Sequence, residues 1–129
     1  SDVYKRQMEN PIHIQRVFTA VYDRWPDLEL GFHMHERTGM AAANMFAALD
    51  AGAKSVEGSI CGIGGGIAMP GGMGDIGNLP TEDIVNMLNR SELATGLDTD
   101  LVLATAKKIE AILDIPSRSY AARNKDIGV

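Results

Sequence analysis

The sequence predicts an α/β fold, on two observations. Apolar residues recur at helical spacing in some stretches and alternate in others, giving the order helix, strand, helix, strand, glycine loop, helix, helix. The two strand-like stretches are separated by a helix, and strands joined that way run parallel because the crossover returns the chain to the same end.

The first helix starts at Asn10, a residue type that caps, followed by Pro11, whose fixed φ suits the first helical position. Ile14, Val17, Phe18 and Val21 form its apolar face, and Pro26 stops it. Residues 28–35 alternate and read as a short strand. Residues 39–50 are rich in Ala, Met and Leu and lack β-branched side chains, a helix signal, with Gly52 as the stop. A second strand is expected over 54–61, with Val56 and Ile60 on one face and Glu57, Ser59 and Cys61 on the other. A glycine-dense loop runs from 62 to 77. Pro80-Thr81-Glu82-Asp83 then opens a helix whose first-turn acids suit the positive end of its dipole. A last helix is expected over Thr99–Leu113, with Leu101, Ala104, Ile109 and Ile112 as its apolar stripe.

Two strands cannot make a stable parallel sheet alone, since such sheets are covered on both faces. A complete (β/α)8 barrel takes about 250 residues, and this chain has 129. It is therefore expected to be the C-terminal half, or less, of such a barrel. Residues 1–7 share no pattern with the chain beyond Met8 and are expected to be a non-native scar, leaving 8–129 as the domain.

Charge and cysteine content exclude several function classes. Seventeen acids against twelve Lys and Arg leave a net charge of −5 with no basic run, which argues against nucleic acid or an anionic membrane as a partner. No apolar run approaches the roughly 18 residues of a membrane span, and the N-terminal residues have no signal core. One cysteine precludes an internal disulfide and fits a reducing cytosol. A cytoplasmic location is expected.

His33-x-His35 at a strand end is the sharpest chemical signal, because side chains two apart on a strand share a face. At the C-terminal end of a barrel strand that face is the active-site mouth. Two imidazoles there make half a divalent-metal site, which oxygen ligands complete. Taken alone, the same spacing equally describes two surface or hydrogen-bonded core histidines. Asn78 offers an amide oxygen that can ligate a metal, and otherwise reads as a turn or cap residue. The glycine loop begins at the same rim, where backbone N–H groups can approach a ligand, or else it is a plain linker. Gly72, Gly74 and Gly77 fit G-x-G-x-x-G, but a loop precedes them and Pro80 comes soon after, so a dinucleotide site is excluded. Cys61 reads as a small core residue. Glu36 and Arg37 are placed to hold a substrate or each other.

His33-Met34-His35-Glu36-Arg37-Thr38-Gly39-Met40-Ala41-Ala42-Ala43-Asn44 resembles the H-x-H-[DN]-x-x-G-x-A-x-A-N segment of the metal-dependent barrel lyases and Claisen synthases. Residues 56–64 look like their final barrel strand, and Gly77-Asn78-Leu79-Pro80-Thr81-Glu82-Asp83-Ile84-Val85 is similar to their G-N-x-x-T-E-D-[LV]-V helix start. Gly64, Gly65 and Gly66, with Pro70-Gly71, resemble the loop of the hydroxymethylglutaryl-CoA lyase family. Gly66 stands at that loop's cysteine, Glu36 where Asp or Asn is usual, and about three extra residues come after Gly71.

The resemblance implies a partial (β/α)8 TIM barrel consisting of the last two strands and their helices, within a domain like that of the pyruvate carboxyltransferases. It implies Mg²⁺ or Mn²⁺ held by His33, His35 and Asn78, a substrate loop at Gly64, Gly65 and Gly66, and a further Asp ligand on a first strand that this chain lacks. The implied reaction is retro-Claisen cleavage of 3-hydroxy-3-methylglutaryl-CoA to acetyl-CoA and acetoacetate, with the chain alone inactive. Two alternatives stay open: a 4-hydroxy-2-oxovalerate aldolase or isopropylmalate/citramalate-type synthase acting on 2-oxo acids with the same metal site, and a non-catalytic barrel remnant binding partners through open strand edges. The expected partners are a small acyl-CoA or 2-oxo acid and, in a full-length parent, further copies of the chain.

Overall fold

The computed structural model of the chain describes residues 10–36, 39–64 and 77–125, and the chain divides into two units, Ser1–Glu57 and Gly58–Val129. The expected scar at 1–7 lies outside the described residues, as do Arg37, Gly65 and Gly66.

In the first unit, α1 (Pro11–Arg24) starts where the Asn10 side chain accepts the His13 N–H at 3.0 Å, and it ends at Trp25, before Pro26. Strand β1 (Gly31–His33) pairs in parallel with β2 (Ser55–Glu57), placing Gly31 opposite Ser55, Phe32 opposite Val56 and His33 opposite Glu57. Helix α2 (Ala41–Asp50) is the crossover between them and packs against α1. Its buried residues Ala41, Asn44, Met45 and Ala48 keep the i, i+3, i+4, i+7 spacing of one helix face. The α/β reading with parallel strands is borne out.

Tyr22 ties the unit together. Its hydroxyl donates to the Gly52 carbonyl at 2.8 Å and accepts the Leu30 N–H at 3.3 Å, joining α1 to the turn after α2 and to the approach to β1. Tyr22→Phe strands both backbone groups and is expected to lower the unfolding free energy by about 1–2 kcal/mol, read from the urea midpoint.

Both strands are shorter than the alternation predicts, three residues each. The second gives way to a 3₁₀ turn over Ile60–Gly62 in which Cys61 adopts φ 57°, so Cys61 does not continue a strand face. The cause is tertiary: the Glu82 carboxylate captures the Cys61 N–H with both oxygens, at 3.0 and 2.9 Å, and turns the backbone.

In the second unit, Ser59 makes a parallel bridge to Pro80, its N–H donating to the Leu79 carbonyl and its carbonyl accepting the Thr81 N–H. Helix α3 (Thr81–Arg90) packs against α4 (Thr99–Leu113), α5 (Tyr120–Lys125) and the 3₁₀ turn. The expected stripe on α4 is corrected: Leu103 and Ala106 are buried, whereas Leu101 and Ile112 are 67% and 75% exposed. Residues 101–104 are all apolar, so spacing alone does not choose a face. The face at Leu103 is chosen because Ala106, whose carbonyl accepts the Cys61 thiol, lets the 3₁₀ turn approach closely. No described helix is long and apolar enough to cross a membrane.

Candidate functional site

The first unit sets two imidazoles side by side at the C-terminal end of β1. His33 is the last residue of β1 and His35 lies two residues on, and their ring centroids are 5.4 Å apart at 77°. Met34, between them, is held from below: its sulfur accepts the Nδ2–H of the buried Asn44 at 3.1 Å. Glu36 is next, its carboxylate reaching the Ala41 N–H at 3.5 Å, where the α2 dipole favours negative charge. Glu36 is therefore spent on the helix start.

Parallel register supplies a neighbour that sequence spacing does not reveal. Glu57, opposite His33, brings its Oε2 to 3.7 Å from His33 Nδ1. At that distance the contact is a loose charge pairing rather than a hydrogen bond, and it sets an acidic group beside the His33 ring. Both side chains are substantially exposed, 48% and 73%, so the pair adds little stability.

The second unit builds the base of the glycine loop around Asn78. The Asn78 Nδ2 donates to the Ile63 carbonyl at 3.0 Å, and its Oδ1 is buried with no hydrogen-bond partner among the described residues. Gly77 comes so close to the chain across the loop base that a Cβ there would collide with the Gly62 carbonyl oxygen and the Arg118 guanidinium. A buried acceptor without a donor is rare in folded proteins and leaves Oδ1 open to a water, an ion or a further donor.

Two carboxylates at the start of α3 are buried rather than solvated, at 0% and 6% exposure for Glu82 and Asp83. Glu82 accepts from the Cys61 N–H and the Ser117 hydroxyl. Asp83 accepts from the Ser119 hydroxyl and from the Tyr120 and Ala121 N–H groups. They fasten the helix after Asn78 to the 3₁₀ turn and to the start of α5.

Cys61 is structural. Burial raises its thiol pKa, and the negative charge of Glu82 adds to the rise. The folded state thus holds the thiol proton more tightly than the unfolded chain, so the associated stability is fully present below the ordinary value of 9.0 and is lost as the pH climbs beyond it. Native protein is expected to react with a disulfide reagent at pH 8 far more slowly than urea-unfolded protein; equal rates would contradict the buried, protonated thiol.

Of the residues singled out in the sequence, His33 and His35 stand together in the first unit, while Asn78 and Gly64 stand together in the second. Sequence reasoning alone assigns no such role to Asn44, Glu57, Glu82 and Asp83. Asn44 and the acids lie inside the quoted motifs, but only packing shows what they hold. Among the described residues no three His, Cys, Asp or Glu cluster; the first unit offers two imidazoles and the second, separately, an amide oxygen. Imidazole nitrogen and amide oxygen are each donors that a hard or borderline divalent cation takes.

A family model described as HMGL-like matches residues 7–109. Hydroxymethylglutaryl-CoA lyase YngG of Bacillus subtilis (strain 168) is 37% identical over 112 residues, covering 85% of the chain and 36% of that enzyme. A 4-hydroxy-2-oxovalerate aldolase of Stutzerimonas stutzeri is 37% identical over 94 residues, covering 72% of the chain and 25% of the aldolase. The crystal structure of a Bacillus subtilis HMG-CoA lyase superposes with a TM-score of 0.80 at 34% identity, over 91% of the chain and 38% of that structure. The chain thus spans about a third of the lyases it matches.

Proposed function

Because the chain belongs to the HMGL-like family, we propose that it is the C-terminal part of a divalent-metal-dependent carbon–carbon lyase that cleaves an acyl-CoA as hydroxymethylglutaryl-CoA lyase does. In this reading residues 8–129 contribute the last two strands of a (β/α)8 barrel with their helices. The observation that supports it best is the pair of imidazoles at the end of β1, 5.4 Å apart, within a chain whose family match runs through both quoted motifs.

As the resemblance implies, His33 and His35 would hold Mg²⁺ or Mn²⁺ through ring nitrogens, and Asn78 would add its Oδ1. A bound cation of this kind supplies Lewis-acid polarisation of the substrate's hydroxyl and carboxylate oxygens. Glu57 sets an acidic group beside the His33 ring, and Asn44 holds the backbone between the histidines through Met34. Gly64, Gly65 and Gly66 would be the substrate loop that the family resemblance implies; of these, Gly65 and Gly66 lie outside the described residues. Gly66 stands where the family carries a loop cysteine, and the buried Cys61 does not substitute for it, because its thiol is protonated and bonded to Ala106. The parent enzyme is cytoplasmic, self-associating, and acts on a small molecule.

The test is product release by the full-length protein with Mn²⁺. Acetoacetate from 3-hydroxy-3-methylglutaryl-CoA supports the lyase. The aldolase is the second reading, favoured by the 37% identity to the oxovalerate aldolase and by the missing loop thiol. Pyruvate from 4-hydroxy-2-oxovalerate, with no cleavage of the thioester, would replace the first reading by the second.

A further inference from the structure

We infer that Ser59 is a positioning residue for Asn78: through the Ile63 carbonyl it fixes which way the Asn78 amide faces, leaving Oδ1 as the available ligand atom. The inference rests on the reading of Asn78 as a metal ligand.

An amide side chain has two nearly isosteric orientations, and only its hydrogen bonds distinguish them. At Asn78 one bond decides: Nδ2 donates to the Ile63 carbonyl at 3.0 Å. The flipped amide would set Oδ1 against that carbonyl oxygen, two acceptors face to face in a buried place. The Ile63 carbonyl is itself aimed, because it also accepts the Ser59 hydroxyl, its two lone pairs serving two donors. Ser59 is a rigid anchor for this purpose, since its backbone bridges to Pro80, two residues beyond Asn78, through the Leu79 carbonyl and the Thr81 N–H. One residue therefore grips both the segment that carries Asn78 and the carbonyl that orients it.

Gly64 completes the seat. It has φ +92°, and a Cβ there would stand 2.8 Å from Asn78 Nδ2. A side chain at this position would push the amide off the carbonyl. The arrangement is the outer layer that ligand residues require, whose loss elsewhere weakens metal binding about 10–100-fold.

The test measures Mn²⁺ affinity from the electron paramagnetic resonance of free Mn²⁺, beside the thermal midpoint, in the full-length protein. Asn78→Ala is expected to weaken binding more than about 100-fold. Ser59→Ala is expected to weaken it about 10–100-fold, with Ser59→Thr restoring it, because threonine keeps the hydroxyl. Asn78→Asp separates orientation from charge. The carboxylate is a stronger donor for a hard cation but cannot bond the Ile63 carbonyl, so weaker binding than wild type supports the inference, and equal or tighter binding overturns it. If Ser59→Ala fails to fold, the Asn78→Asp result decides. Wild-type affinity in Ser59→Ala, with binding lost in Asn78→Ala, overturns the positioning role and leaves the ligand reading standing. Wild-type affinity in Asn78→Ala removes the ligand reading itself, and the inference with it.

Discussion

Asp83→Ala is expected to destabilise the second unit by about 4 kcal/mol. Three donors converge on this carboxylate: the Ser119 hydroxyl at 2.8 Å, the Tyr120 N–H at 3.1 Å and the Ala121 N–H at 2.8 Å. Bonds to a charged acceptor contribute about 1.5–3 kcal/mol each, and their sum is less than additive because they share one group. Alanine leaves the buried Ser119 hydroxyl and two part-buried backbone donors without this acceptor. Helix α5 has only six residues and depends on this attachment. Hydrogen exchange should therefore show the amides of residues 120–122 losing protection before those of α4, and urea unfolding should give the total. A loss below about 1 kcal/mol would mean that the carboxylate is not the anchor described. Asp83→Asn retains one acceptor oxygen and should fall between alanine and wild type.

His33→Ala and His35→Ala are each expected to weaken Mn²⁺ binding by more than about 100-fold in the full-length protein, since removing a neighbour of a ligand already costs about 10–100-fold. Glu57→Gln should do much less. Its carboxylate is 3.7 Å from the ring and 73% exposed, so water replaces much of its effect. The contrast matters more than either value. Equal effects at all three positions would point to general disturbance of the β1–β2 pair, and unchanged binding in both histidine variants would remove the metal reading.

What the chain declares locally is periodicity and chemistry at short range. The Asn10 cap, the stop at Pro26 and the crossover helix come from neighbours within four residues and survive unchanged in the structure. The His33 and His35 rings also stand near each other, 5.4 Å apart, although the strand itself ends at His33. The glycine loop, too, is visible as composition.

Tertiary structure decided everything that needed two distant segments. Glu82 and Asp83 look like ordinary first-turn acids until residues 117–121 arrive to be bonded, more than thirty positions later. Cys61 alternates like a strand residue until Glu82 turns its backbone into a 3₁₀ turn. The buried face of α4 is ambiguous over its apolar run and is chosen by what approaches Ala106. Glu57 meets His33 only through the parallel register of β1 and β2. The reason is common to all four. Side-chain spacing encodes which faces of an element are apolar, whereas which groups stand opposite a residue is fixed only when folding brings distant segments together.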